Sequence, residues 1–226
     1  MKLVIFDCDG TLVDSQHNIT AAMAYAFTAH GLTPPAVPDI LSVVGLSLPE
    51  SFRVLAGQHP AATQRTLAEH YRDAFVSGKL ERRRDELLYP AIKETVAALA
   101  AREGTLLGVA TGKSRRGVQR LFDQEGWHGS FHTIQTADDH PSKPHPSMIQ
   151  RAMAEAGVSA AETIMIGDTA FDMAMARNAG VGALGVAWGY HAHDRLVQAG
   201  AQTIVARGPD LLAAIDRMLA DQECRT

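Results

Sequence analysis

The chain has 226 residues, 46% hydrophobic and 20% charged, with a formal net charge of -4. That balance is ordinary for a globular protein, and without a sustained basic face it excludes nucleic acid as a partner. No apolar run approaches the ~18 residues of a membrane span. Asp7 interrupts the N-terminal apolar run too early for a secretory signal, and two cysteines, Cys8 and Cys224, make no disulfide framework. A reduced, cytoplasmic protein is expected.

Leu3 to Phe6 is a continuous apolar run, the pattern of a strand covered on both faces. It ends in Asp7-Cys8-Asp9-Gly10-Thr11. Residues i and i+2 of an extended segment share a side, so Asp7 and Asp9 can address one site while Cys8 turns into the packing. Two close carboxylates predict a hard divalent metal, a shared proton, or both.

Asn18 to His30 reads as a helix stopped by Gly31, and Pro34, Pro35 and Pro38 hold the next stretch open. Short helices over Asp39–Val44 and Leu48–Ala56 flank Gly45-Leu46-Ser47, and Ala61 to Ser77 is a further helix. No strand pattern occurs between Asp14 and Tyr89, so an all-helical block interrupts the chain. The mixed charges of Glu81 to Glu86 read as a solvated surface.

Strand and helix alternate from Pro90 onward. Helices are expected over Ala91–Arg102, Arg115–Glu125, Ser147–Ala156, Ala170–Ala179 and Asp210–Leu219. Strands are expected over Thr105–Ala110, Phe131–Thr136, Thr163–Ile166, Ala183–Trp188 and Gln202–Ala206. Such units imply an α/β fold with a doubly wound parallel sheet. Ligands of such sheets bind at the carboxyl ends of the strands. Those ends carry Asp7 and Asp9, then Thr111, Gly112 and Lys113, then the loop with Lys143, then Asp168 with Asp172 one helical turn on.

This set suits phosphoryl transfer. Magnesium takes one or two carboxylates plus phosphate and water, which Asp7 and Asp168 supply. A threonine hydroxyl and backbone N–H groups at a strand-to-helix turn cradle a phosphate, and a lysine neutralises it. One aspartate can attack phosphorus, and a second can protonate the leaving alkoxide. Each residue has an ordinary alternative: Thr111-Gly112 or Asp168 as helix caps, Lys143 as a solvated loop residue. Four signals at four strand ends favour the catalytic reading.

The sequence resembles the haloacid dehalogenase superfamily of phosphohydrolases. The matching pieces are Asp7-Cys8-Asp9-Gly10-Thr11, Ala110-Thr111-Gly112-Lys113, Lys143-Pro144-His145-Pro146 and Gly167-Asp168-Thr169-Ala170-Phe171-Asp172. The resemblance implies a Rossmann-like core of residues 1–14 and 88–226, with a helical cap over 15–87. It makes Asp7 the nucleophile and Asp9 the general acid/base. It assigns magnesium to Asp7, the Asp9 backbone carbonyl and Asp168, with Asp172 in the outer shell. Thr111, Gly112 and Lys143 hold the phosphoryl group, and Gly45, Leu46 and Ser47 form a substrate-specificity loop in the cap.

Length, cap position and Trp188-Gly189-Tyr190 look most like phosphoglycolate phosphatases. A small phosphorylated metabolite is the implied substrate, and a monomer or homodimer the implied assembly. Related sugar phosphomutases place an arginine near Leu48, so its absence favours a phosphatase; Asp9 argues against a dehalogenase. The rival of another class, a phospho-accepting signalling domain, needs neither the helical block nor Asp9. His191-Ala192-His193 lacks a third partner at zinc spacing. Arg53 reads as a surface residue, and Met173 and Met175 as helix core.

Overall fold

The computed structural model describes residues 1–76 and 86–223. Ser77, Glu81 to Asp85 of the mixed-charge cluster, and Cys224 lie outside the described residues.

Six strands form one parallel sheet: β1 (Lys2–Phe6), β4 (Thr105–Thr111), β5 (Thr133–Thr136), β6 (Thr163–Gly167), β7 (Gly182–Val186) and β8 (Thr203–Val205). Their spatial order is β5-β4-β1-β6-β7-β8. Chain direction across the sheet reverses beside β1, which pairs with β4 on one edge and β6 on the other. Such a reversal opens a crevice at the carboxyl ends of the two strands. Asp7 leaves β1 there and Asp168 leaves β6.

The pleat sorts β1 between two cores. Val4 and Phe6 join a cluster with Val96 and Leu99 of α5 (Ile92–Ala100), Leu121 of α6 (Arg115–Glu125) and Ile215 of α10 (Leu211–Glu223). Leu3 and Ile5 join the opposite cluster, with Met148 of α7 (Ser147–Ala156), Met173 and Met175 of α8 (Ala170–Ala179) and Leu196 of α9 (His193–Ala199). Helices therefore cover both faces, as the uniformly apolar strand predicts. Cys8 is a free, fully buried thiol in the first cluster.

Between β1 and β4 the chain forms α1 (Gln16–Ala29), α2 (Val37–Ser42), α3 (Leu48–Leu55) and α4 (Ala61–Val76). These helices bury an apolar cluster of their own, including Met23, Phe27, Phe52 and Leu67. Arg53 is an exposed α3 residue paired with Glu50 at 2.7 Å.

Two features depart from the sequence reading. The expected strand-free stretch is bounded by a two-residue ribbon, in which β2 (Val13–Asp14) pairs antiparallel with β3 (Leu87–Leu88). Two residues are too few to show a period of two. Helix α9 begins at His193, within the stretch read as a loop or helix start, but its extent was not expected: its seven residues carry one buried apolar side chain, Leu196, which gives no helical repeat. No helix among the described residues is long and apolar enough to cross a membrane.

Candidate active site

Asp7 is the first residue past β1 and is 1% exposed. Its Oδ1 accepts the Cys8 N–H at 2.7 Å and lies 3.0 Å from Lys143 Nζ. Its Oδ2 is buried with no hydrogen-bond partner among the described residues. A buried lone acceptor is costly, so this oxygen is held ready for something the protein does not itself supply.

Asp168 follows β6 and is fully buried. Thr11 Oγ1 donates to its Oδ1 at 2.9 Å, and the Tyr190 N–H to its Oδ2 at 2.8 Å. Gly10 lies so close that a Cβ there would stand 2.3 Å from Asp168 Oδ2, and its φ of +89° also favours glycine. Asp168 is not the cap of α8. Thr169 is, accepting from the Asp172 N–H while Asp172 Oδ2 accepts from the Thr169 N–H and hydroxyl.

Lys143 is buried rather than a solvated loop residue. Its ammonium bridges Asp7 and, at 2.7 Å, Asp172 Oδ1. Burial works against its charge, but Asp172 and Asp7 more than compensate and hold its pKa above the usual lysine value.

Carboxylate oxygens of Asp7, Asp168 and Asp172 lie within 4.8 Å of one another. Burial, opposed by Lys143 and reinforced by Asp172, pushes the Asp7 carboxyl up to about 6. Burial, then Asp172 and Asp7, raise Asp168 well above the usual carboxylate range. Three carboxylates against one ammonium leave excess negative charge in a dry site. That charge, on carboxylate oxygens gathered so closely, fits a hard divalent cation taking oxygen ligands. Both oxygens of Asp172 are engaged by Lys143 and Thr169, and both of Asp168 by Thr11 and Tyr190, so Asp7 Oδ2 is the unpartnered carboxylate oxygen of the three among the described residues.

Asp9 faces elsewhere. Its Oδ1 accepts from Ser15 Oγ at 2.5 Å and from Lys113 Nζ at 2.7 Å, and the same ammonium lies 2.9 Å from Glu86 Oε2. Ser15 is tied back by its N–H, which donates to the Tyr190 hydroxyl at 3.2 Å. The Asp9 side chain is thus outside the three-carboxylate cluster.

Thr111 ends β4 and is buried, and its hydroxyl accepts the Lys113 N–H at 3.1 Å. The helix cap there is Ser114, which accepts the Gly117 N–H, so Thr111 and Gly112 do not cap α6. Gly112 sits against the helical block: a Cβ on it would stand 2.6 Å from the Leu46 carbonyl oxygen. The Ser47 N–H donates to Ser142 Oγ at 2.8 Å, so the Gly45-Leu46-Ser47 turn is seated between Gly112 and the Lys143 loop. His191 adds a second tie. Its Nδ1 accepts the Ala170 N–H at 3.0 Å, which leaves Nε2–H to donate to the Ser42 carbonyl at 3.2 Å. Two protein hydrogen bonds occupy this ring.

A cavity of about 610 Å³ opens over Asp7, Asp9 and Thr111 and runs under the helical block. The structure thus gathers Asp7, Asp168, Asp172 and Lys143 into one buried set and lines the cavity beside it with Asp9, Thr111, Gly112, Gly45 and Leu46. Sequence reasoning placed Lys113 at the β4 strand end without giving it a role, and missed Ser15, Glu86 and Tyr190 as members of the Asp9 network. Lys113 was signalled by its place one residue past Gly112; the other three reach Asp9 or its partners only through tertiary structure.

Residues 4–186 match the haloacid dehalogenase-like hydrolase family. The chain belongs to that family. Among similar proteins of this family, a probable phosphatase, IndB, from Dickeya dadantii is 34% identical, over 96% of this chain and 94% of its own length. A phosphoglycolate phosphatase from Yersinia pestis is 30% identical, over 97% of this chain and 96% of its own. A crystal structure of a predicted phosphatase from Clostridium acetobutylicum superposes with a TM-score of 0.83 at 26% identity, covering 96% of this chain and 98% of that one.

Proposed function

We propose that this hydrolase is a magnesium-dependent phosphatase that acts on a small phosphorylated metabolite through an aspartyl-phosphate on Asp7. One observation carries the reading: a buried Asp7 Oδ2 without a partner, at the sheet's reversal point and on the wall of a cavity. The family and the phosphatase names of its relatives support it.

In this reading Asp7 Oδ2 attacks phosphorus in line, and the bond from phosphorus to the ester oxygen breaks. Asp9 gives its proton to the departing alkoxide, then takes one from the water that attacks the aspartyl-phosphate. Inorganic phosphate leaves and Asp7 is restored. The Cys8 N–H and Lys143 fix the other Asp7 oxygen, so the nucleophile is aimed before substrate arrives. Lys143, Thr111 and the Gly112 amide hold the phosphoryl oxygens. Asp7, the Asp9 backbone carbonyl and Asp168, with Asp172 behind, would hold magnesium, which would supply positive charge at the phosphoryl oxygens. The helical block acts as a cap that excludes water, with the Gly45-Leu46-Ser47 turn against the leaving group. The proposed setting is the cytoplasm, where Cys8 stays reduced.

The test is phosphate release from a panel of phosphomonoesters, with and without magnesium, by the native protein and by Asp7→Asn. Phosphoglycolate belongs on it because relatives carry that name. Release that needs magnesium and vanishes in Asp7→Asn supports the mechanism. Stable phosphorylation of the native protein without release rejects it in favour of a mutase or a signalling domain.

A further inference from the structure

The cavity speaks to the leaving group. Its volume of about 610 Å³ lies within the range of roughly 300–1,000 Å³ that holds drug-sized ligands. Phosphoglycolate would leave most of that space unfilled.

Met23, Val44, Leu46, Leu48, Tyr71 and Phe75 form an apolar part of the cavity lining, which also holds Arg72, Arg116 and Arg120. Of the serines in that lining among the described residues, Ser51 already donates its hydroxyl to the Ser47 and Val43 carbonyls, at 3.2 and 3.4 Å, and Ser114 caps α6. A sugar would bury hydroxyls there with few partners, and each unpaired hydroxyl weakens binding.

Flat groups fit. The Tyr71 and Phe75 rings lie 5.3 Å apart, centroid to centroid. The Arg120 guanidinium lies over the Phe75 ring at 5.9 Å from its centroid, bringing α6 against α4 at the cavity wall. Ring faces and guanidinium planes together accept aromatic surface.

We propose that the substrate is the phosphate monoester of an aromatic or heteroaromatic alcohol, with the ring against Tyr71, Phe75 and Leu48, rather than phosphoglycolate or a sugar phosphate. This rests on the phosphatase reading above.

The experiment compares kcat/KM for benzyl phosphate, phosphoglycolate and glucose 6-phosphate with magnesium present. All three are esters of primary alcohols, so differences report the cavity more than the bond broken. Benzyl phosphate is expected to lead both others by about tenfold or more, the discrimination an apolar pocket gives. In Phe75→Ala the ratio of benzyl phosphate to phosphoglycolate is expected to shrink by about tenfold. A ratio taken within one preparation is unaffected by partial loss of folded protein. Equal or better turnover of phosphoglycolate or glucose 6-phosphate overturns the proposal and leaves the phosphatase reading standing. An unchanged ratio in Phe75→Ala overturns the ring's assigned place. No release from any of the three, in native protein that is folded, overturns both readings together.

Discussion

Lys113 Nζ stands 2.7 Å from Asp9 Oδ1 while holding Glu86 Oε2 at 2.9 Å, so one ammonium joins the chain just past β1 to the chain returning from the helical block. Lys113 and Asp9 are mostly buried, with side chains 10% and 13% exposed. The pair is therefore little screened, and losing the cation leaves two carboxylates without compensation.

Lys113→Met is expected to lower kcat by about 100-fold, the low end of what a mispositioned acid/base costs, with KM little changed. Lys113→Arg is expected to recover part of the loss. Steady-state phosphate release checks both. A KM effect with normal kcat would instead make Lys113 a substrate-binding residue.

Lys143 has a structural signature as well. Lys143→Met leaves Asp7 and Asp172 facing each other in a dry site, which costs about 3–5 kcal/mol. In a chain of this size that lowers Tm by roughly 6–20 °C. Thermal melts in chelator are the measurement, and magnesium is expected to restore part of the difference.

Gly112→Ala places a methyl group 2.6 Å from the Leu46 carbonyl oxygen. Relieving that clash moves the Gly45-Leu46-Ser47 turn by nearly an ångström. Displacement on that scale costs on the order of 100-fold in rate. Activity is expected to fall much further than Tm, and parallel kinetics and melts separate the two.

The raised Asp7 carboxyl sets a pH dependence. Between its usual 3.8 and about 6, the folded state keeps a proton that the unfolded state has released. Folded protein then binds more protons, so stability falls as pH rises through that window. Metal-free protein is expected to lose Tm from pH 4 to pH 6.5. Magnesium is expected to remove the decline, and Asp7→Asn to remove part of it without metal, since the raised Asp168 carboxyl acts in the same direction. Melts across pH, with chelator or with magnesium, decide it.

Much of this was legible in the sequence because the informative residues stand beside strong periodic signals. The run Leu3–Phe6 marked a buried strand, and whatever followed it had to lie at the sheet's carboxyl edge. The same logic reached Thr111, Lys143 and Asp168. The Asp9 network was not legible: Ser15, Glu86 and Tyr190 meet only once the sheet and the helical block are assembled. Asp172 was placed beside the site, but its pairing with Thr169 across the first turn of α8 appeared only in three dimensions. The ribbon β2–β3 and the short helix α9 were too small to leave a repeat.

The position of β1 in the sheet has a consequence for how the protein is made. It is made before the other strands of the sheet, yet its neighbours are β4, about a hundred residues later, and β6, which begins at Thr163. Pairings so distant in sequence close slowly. An apolar strand with both edges open invites wrong partners while synthesis continues. Until Asp168 has emerged, the nascent chain cannot complete the buried carboxylate set. Completion of the site therefore waits for β6, and truncation before β6 leaves the central strand exposed along at least one edge.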